Sequence, residues 1–326
     1  MSRSPAHTDT VEIACDESGS DGENLVNGNT DVFTHASVSL DHAAAERGLD
    51  EIFERVRSPA SSAMTEYKAN VLLRSKHRPA LTWLLGPDGP LLGSAHVHVI
   101  DKRYFLLATT TALLTDEGPH TEELSLAAHR AGPATYGPER WQAFLTAAND
   151  LLRARPRPET SDPAAVFIRC VEQLSSTVPV DPSDPAARLT ALLLHSRARA
   201  ERHRLRSAEA PGAWPALDPL FPALLGTVEH WSAAGRHVAV VHDRQNTLTP
   251  ERLDHVISAT GGMLDEVRLV EARQDPRIGL ADFLAGITRK IASDRLHGTP
   301  DAELTDLLRP YTTSAPPLPT SWSWPR

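Results

Sequence analysis

The chain has 326 residues, of which 40% are hydrophobic and 23% charged, a composition typical of globular proteins, and its length allows one large domain or two. The net charge of -9 excludes nucleic-acid binding driven by overall charge, although it leaves room for a local basic surface. No apolar run reaches the roughly 18 residues that a bilayer-spanning helix needs, and the N-terminal residues lack the apolar core of an export signal. Two cysteines cannot build a disulfide framework or a four-cysteine zinc site, so we expect a cytoplasmic protein without a membrane segment.

The first strand is predicted over residues 11–19 (VEIACDESG), where hydrophobic residues alternate with others. It ends on two adjacent carboxylates, Asp16 and Glu17, which we expect at the rim of a sheet. Two acids this close repel each other unless a cation or a proton neutralises them. The pattern therefore indicates either a divalent-metal site or a strand that simply runs into a polar turn.

The rest of the N-terminal part alternates between strands and helices. A second strand, antiparallel to the first, is predicted over residues 32–40, and Asp41 is the expected N-cap of the helix after it. A proline at position 79 is expected to break the helical stretch that follows. The further elements predicted here are helices over 43–56, 66–85 and 103–114 and a strand over 95–100 that ends at Asp101.

From residue 117 to 235 the sequence is rich in Ala, Arg, Leu and Pro and has almost no strand pattern, which predicts an insertion of three to five helices. Strands over 237–242 and 266–271 and helices over 250–259 and 279–295 follow it. Alternating strands and helices on both sides of the insertion favour one interrupted α/β domain. We therefore predict a tail over 1–10, an α/β core over 11–116 and 236–310, a helical insertion over 117–235 and an extended tail over 311–326.

Four acids come near the end of a strand or the start of a helix: Asp16, Glu66, Asp243 and Asp282. Acids from separate elements can converge on one rim, and carboxylate oxygens suit Mg²⁺ or Mn²⁺. Asp282 lies off the apolar face of its predicted helix, next to small residues. That position is compatible with an exposed aspartate or with a helix face that approaches the rim closely.

The order and spacing of these motifs resemble the domain-of-unknown-function 3800 family, whose proteins have an RNase H-like fold. The resemblance covers residues 11–115 and 236–296. It rests on Asp16-Glu17-Ser18-Gly19, Glu66-x-Lys68, Asp101-Lys102, Asp243 and the segment 279–286 (GLADFLAG).

The resemblance implies an RNase H-like mixed sheet flanked by helices, with the large helical insertion outside it. It also implies that Asp16, Glu66, Asp243 and Asp282 form an acidic Mg²⁺ or Mn²⁺ cluster, with Glu17 as an accessory acid. The implied chemistry is metal-assisted hydrolysis of phosphodiester bonds in nucleic acid. One departure is Gly279, which stands where the family usually has a glutamine; we consider Asp275 a substitute ligand.

Cationic residues are needed to guide a phosphate backbone. Lys68 can neutralise a phosphate oxygen, although as a helical neighbour two residues from Glu66 it is expected to point elsewhere and to form a structural ion pair. The run 195–206 is rich in arginine, and the candidates for substrate binding are Arg197, Arg199, Arg202 and Arg204. The alternative for this run is a solvated helix face.

Two other functions are compatible with the sequence. A catalytically degenerate protein can keep the fold and bind nucleic acid or regulate, and an α/β phosphatase can act on a small phosphoester. A zinc site built from His96, His98 and His242 is disfavoured because no further ligand stands at a recognisable spacing. The sequence does not distinguish DNA from RNA as substrate, and it leaves the oligomeric state open.

Overall fold

The computed structural model describes residues 10–57, 68–115, 121–155, 162–177, 181–209 and 214–312. Its centre is one five-stranded mixed sheet in the order β3-β2-β1-β4-β5. The strands are β1 (Thr10–Ser18), β2 (Val32–Val38), β3 (Ala95–Asp101), β4 (His237–Asp243) and β5 (Leu264–Val270). The first three pair antiparallel, whereas β4 is parallel to both β1 and β5. The predicted α/β class is thus confirmed.

Helices flank this sheet. Before β4 they are α1 (His42–Val56), α2 (Ala69–Leu72), α3 (Arg78–Leu85), α4 (Lys102–Leu114), α5 (Thr121–Tyr136), α6 (Pro138–Leu152), α7 (Pro163–Thr177), α8 (Pro185–Leu193), α9 (Arg197–Glu209) and α10 (Leu220–Ser232). After β4 they are α11 (Pro250–Ala259), α12 (Pro276–Leu296) and α13 (Ala302–Leu308). As predicted, Asp41 caps α1, because its carboxylate accepts a hydrogen bond from the backbone N–H of Ala44 at 2.7 Å.

The structure differs from the predicted elements in three places. The helical stretch predicted over 66–85, with a break expected at Pro79, is divided, within its described part, into α2, a 3₁₀ turn and α3; the expected break is present, but Pro79 occupies the first turn of α3 instead of ending a helix. The described part of the insertion contains six helices, α5 to α10, instead of three to five. The helix α13 was not predicted, because its seven residues are too few for a clear periodic pattern.

The two faces of the sheet pack against different sets of helices. On one face, Ile13, Phe33 and Val240 share a hydrophobic core with side chains of α4 to α8, α10 and α11. On the other, Ala36 and Val97 pack with α1, α3, α12 and α13. The helical insertion therefore shares its core with the sheet and is not an appended module.

The connection between β1 and β2 is fixed by a buried lysine. Lys102 has no exposed surface; its Nζ donates to the Thr30 carbonyl oxygen at 3.0 Å and forms an ion pair with Asp21. At the start of the connection Gly19 has φ +88°, and a Cβ there would lie 2.2 Å from the carbonyl oxygen of Val32. Only glycine fits this turn, which follows directly on the end of β1.

Asp101, which precedes Lys102 in the sequence motif, also has a structural role. Its carboxylate caps α4 by accepting hydrogen bonds from the backbone N–H groups of Arg103 and Tyr104, and it accepts a further one from His129 at 3.0 Å.

No helix in the described part of the chain combines the length and the hydrophobicity that crossing a bilayer requires.

Candidate acidic active site

Asp16 and Asp243 lie next to each other at the ends of two parallel strands. The register of β1 and β4 pairs Cys15 with His242, so the two aspartates are the following residues on neighbouring strands. Side chains alternate along a strand, so the side chain of Ala14 lies on the same face of the sheet as the two aspartates. Because Ala14 packs against Ile278 of α12, that alternation turns both carboxylates towards α12.

Asp282 brings a third carboxylate to this face. It lies one turn after Ile278 on α12, so both side chains extend from the same side of the helix. Burial raises the pKa of Asp16 to about 8, and the charges of Glu17, Asp282 and Asp243 add to that rise. The structure therefore brings three of the four predicted acids together. The fourth, Glu66, lies outside the described residues.

Close packing of α12 against α2 positions Asp282. A Cβ added to Gly286, one turn after Asp282, would lie 2.5 Å from the Cβ of Ala69. Lys68 caps α2 with extended backbone, and its Nζ lies 3.9 Å from Oδ2 of Asp282. The expected ion pair of Lys68 is therefore present, although Lys68 precedes the first residue of α2 and does not lie inside a helix as predicted. Its direction relative to Glu66 lies outside the described residues.

Glu17 extends from the opposite face of β1. It pairs across the sheet with His35 of β2, and its Oε2 accepts a hydrogen bond from Nε2 of Gln245 at 3.0 Å. Burial raises the pKa of Glu17 to about 7, with further contributions from the charges of Asp243 and Asp218. Glu17, predicted as an accessory acid, is thus close enough to Asp16 and Asp243 for their charges to interact, but it is held by other elements.

A chain of hydrogen bonds runs from α10 to the end of β4 behind Asp243. Nδ1 of His242 lies 2.9 Å from the Asp243 carbonyl oxygen, which can only accept, so this nitrogen carries the proton. Nε2 of the neutral ring then accepts from Nε2 of His35 at 3.2 Å, and Nδ1 of His35 accepts from the Thr227 hydroxyl at 2.9 Å. Burial lowers the pKa of both histidines, so the chain consists of neutral rings with fixed tautomers.

The remaining predicted histidines form a stack on the same face. The rings of His96 and His230 of α10 lie parallel with centroids 3.9 Å apart, and His98 meets His96 edge-on at 4.7 Å. Burial lowers the pKa of His98 to about 4 and that of His96 well below its usual value. Because His242 is bound instead to His35, it does not join His96 and His98, the other two histidines weighed as zinc ligands.

Two further candidates have structural partners. Asp275 caps α12 and binds the guanidinium of Arg277 through both carboxylate oxygens, at 2.9 and 2.6 Å, and Arg277 also reaches Glu12 at 2.8 Å. The structure thus gives Asp275 a role other than the substitute ligand considered for the departure at Gly279. Ser18 accepts a hydrogen bond from Nε of Arg289 at 3.0 Å, which ties the end of β1 to α12.

The four arginines predicted to bind substrate do not act as one group. Arg197 lies 3.9 Å from Glu172 on α7, and Nη1 of Arg204 donates to the Leu151 carbonyl oxygen at 3.2 Å. Arg199 and Arg202 line a cleft between α9 and the end of α4. Arg199 and Arg202 therefore face a space that a ligand can enter.

Sequence reasoning missed Gln245 and His35 as neighbours of the acids. Gln245 stands two residues after Asp243, so a search for polar residues just beyond each strand end would have found it. His35 gave no such signal, because its proximity to Glu17 depends on the pairing of β1 with β2.

The donor set of Asp16, Asp243 and Asp282 fits a hard divalent cation, since it consists of three carboxylates and the charges of Asp282 and Asp243 help to raise the pKa of Asp16. Their side chains are not preassembled as a cage, because no group of three His, Cys, Asp or Glu is arranged as metal ligands in the ranges that the structure describes. No protein-family model, curated protein or solved structure matches this chain. The function is therefore argued from the geometry of the acids.

Proposed function

We propose that this protein hydrolyses phosphodiester bonds in nucleic acid with the help of Mg²⁺ or Mn²⁺, at the acidic rim formed by Asp16, Asp243 and Asp282. The observation that carries the proposal is the convergence of three carboxylates from β1, β4 and α12 on one face of the sheet. Their mutual repulsion favours a site in which a doubly charged cation replaces protons.

The same observation supports the proposal that this α/β fold has an RNase H-like arrangement. Three antiparallel strands are followed by two parallel ones, and β1 at the centre of the sheet carries the first acid beside that of β4. The resemblance of the sequence motifs to the domain-of-unknown-function 3800 family supports the same arrangement. Glu66 is proposed as a fourth ligand on the strength of that resemblance alone.

In the proposed reaction, Asp16, Asp243 and Asp282 hold the cation, which, when bound, supplies Lewis acidity and lowers the pKa of water. Lys68 lies at the edge of the site and can pair with a phosphate oxygen in place of Asp282. Glu17, held by Gln245, is proposed as the accessory acid that orients the attacking water. Each of these groups has only to position a reactant or to neutralise charge, as phosphoryl transfer requires.

The test is cleavage of labelled DNA and RNA in the presence of Mg²⁺ or Mn²⁺. We expect Asp16→Asn and Asp243→Asn each to lower the rate about a hundredfold or more, because each removes a charged ligand. Asp254→Asn, the same chemical change on the exposed side of α11, is the matched control and should cleave like the wild type.

Three results would overturn the proposal. Full activity in both site variants would remove the acids from the reaction. Turnover of an aryl phosphate without cleavage of polynucleotides would indicate the phosphatase function instead, and salt-dependent binding without any cleavage would indicate the degenerate binding protein.

A further inference from the structure

The basic residues of α9 fall on two sides of the helix. Arg199, Arg202 and Arg206 are separated by three and four residues, the spacing of one helix face. Arg197 and Arg204 lie seven residues apart on another side. The contacts agree with this division, because Arg197 lies near Glu172 and Arg204 binds the carbonyl oxygens of Leu151 and Arg153. Arg197 and Arg204 are therefore engaged by the protein on a different side of the helix from Arg199, Arg202 and Arg206.

The other three arginines line a cleft of about 200 Å³ together with His203 and Leu113 of α4. Within the described ranges of the chain, no acidic residue lines it. Arg199 is anchored by a hydrogen bond to the Leu114 carbonyl oxygen at 3.4 Å, whereas Arg202 and Arg206 are exposed and form no ion pair within the described ranges. Arg202 and Arg206 thus present guanidinium groups whose charge is available to a ligand.

The dimensions favour an extended anion over a compact one. Seven residues of α-helix span about 10 Å, so the three guanidinium groups are distributed over more than one phosphate. One strand of a duplex carries a phosphate about every 3.4 Å, which allows about three phosphates along this length. The cleft is also smaller than the roughly 300–1,000 Å³ of most small-molecule sites. A long anion lying along α9 fits these dimensions better than an enclosed small ligand.

We infer that Arg199, Arg202 and Arg206 bind the phosphate backbone of a nucleic-acid strand. Guanidinium groups bind phosphate through two parallel hydrogen bonds, and they keep their charge at any physiological pH. The net charge of -9 means that such binding depends on this local face and not on the protein as a whole. The inference deepens the proposed function and rests on it for the choice of nucleic acid among long anions.

The experiment measures binding of a fluorescein-labelled oligodeoxythymidine by anisotropy, in EDTA so that no cleavage occurs, over a series of salt concentrations. Two lost phosphate contacts on a single strand lower the slope of log K against log salt by about 1.4. We therefore expect Arg202→Gln/Arg206→Gln to weaken binding about ten- to thirtyfold at 0.1 M salt.

The matched control is Arg188→Gln/Arg197→Gln, which changes the net charge equally on exposed positions of α8 and α9. It should bind with the slope of the wild type, and thermal melting should show that both double variants fold. Equal weakening in the control would reduce the effect to net charge and overturn the inference, as would a wild type that does not bind the oligonucleotide.

A second probe, phosphatidylserine–phosphatidylcholine vesicles, tests the other class of anionic surface. Loss of vesicle binding in the Arg202→Gln/Arg206→Gln variant, with unchanged oligonucleotide binding, would also overturn the inference. Because binding is measured in EDTA, the two proposals fail separately. If the arginine variant binds more weakly but the wild type cleaves nothing in Mg²⁺, the arginine face is retained and the proposed hydrolysis is refuted. If the arginine variant binds normally and the wild type cleaves, the hydrolysis is retained and the arginine face is refuted.

Discussion

The two faces of the sheet differ most where β1 and β4 end. One face carries partly exposed aspartates beneath α12, and the other carries buried histidines beneath α10. Asp16 and Asp243 belong to the first face, and their chain neighbours Glu17 and His242 belong to the second. Alternation along two strands is enough to produce this separation. The comparison teaches that a site rich in like charge can be built on a framework of neutral, hydrogen-bonded polar groups directly behind it.

The two faces should respond to pH in opposite directions. Burial lowers the pKa of the histidines, so below pH 6.5 the unfolded chain takes up protons that the folded chain does not, and stability falls as pH falls. The pKa of Asp16 is raised to about 8 and that of Glu17 to about 7, so from about pH 4 upward stability falls as pH rises. We expect a maximum of stability near pH 6.5.

The largest expected effect is on the acid side of this maximum. One buried histidine contributes up to about 1.4 kcal/mol per pH unit, and His35, His96, His98 and His242 together should cost several kcal/mol between pH 6.5 and 5. His98→Gln should flatten the slope by one such contribution, as measured by urea unfolding at a series of pH values. The exposed His195→Gln is the control, and an unchanged slope in His98→Gln would show that the histidine face does not titrate on unfolding.

The next effect concerns the carboxylate face. Asp16→Asn removes a charge that repels Glu17, Asp243 and Asp282, so we expect it to stabilise the fold at pH 8.5 by about 2 kcal/mol. The gain should vanish below about pH 3, where the wild-type carboxyl group is protonated in both states. Urea unfolding at the two pH values, with Asp254→Asn for comparison, measures it. A variant destabilised at pH 8.5 would mean that favourable contacts of the Asp16 carboxylate outweigh its repulsion by the other acids.

The smallest effect tests how closely α12 must approach the rim. A methyl group on Gly286 meets Ala69 at 2.5 Å, so Gly286→Ala should destabilise the protein by about 1–2 kcal/mol. Ala69→Gly removes the opposing methyl group and should restore much of the loss in the double variant. Thermal unfolding of the two single variants and the double variant gives the coupling. Strict additivity would mean that the two helices do not constrain each other here.

The sequence predicted most elements around the acids because their signals are local. Asp16 and Asp243 follow alternating hydrophobic strands, and the bounds of α11 agree with its predicted range over 250–259. The shared face of the two aspartates could be anticipated only from the parallel pairing of β1 with β4. Features that depend on distant contacts were not predicted, such as the pairing of Glu17 with His35 and the engagement of Arg204 by carbonyl oxygens of the segment after α6.

The helical stretch predicted over 66–85 and the position of Lys68 show a second limit of prediction from sequence. Helical periodicity does not reveal where a helix begins when its first turns are short, and α2 has only four residues. The extended backbone at Lys68 is what lets its ammonium group reach Asp282. A side chain's direction therefore changed with a boundary shift of a few residues, and boundaries are what sequence patterns define least well.

The central position of β1 has a consequence for biosynthesis. Its antiparallel partner β2 leaves the ribosome soon after it, but its parallel partner β4 is made more than two hundred residues later. At about 5–20 residues per second, that edge of the nascent hairpin waits roughly 10–45 s for its neighbour. During this interval a row of unpaired backbone groups and the side chains of Ile13 and Cys15 lack their final cover, so overexpression at lower temperature and with chaperones should favour the native chain over aggregates.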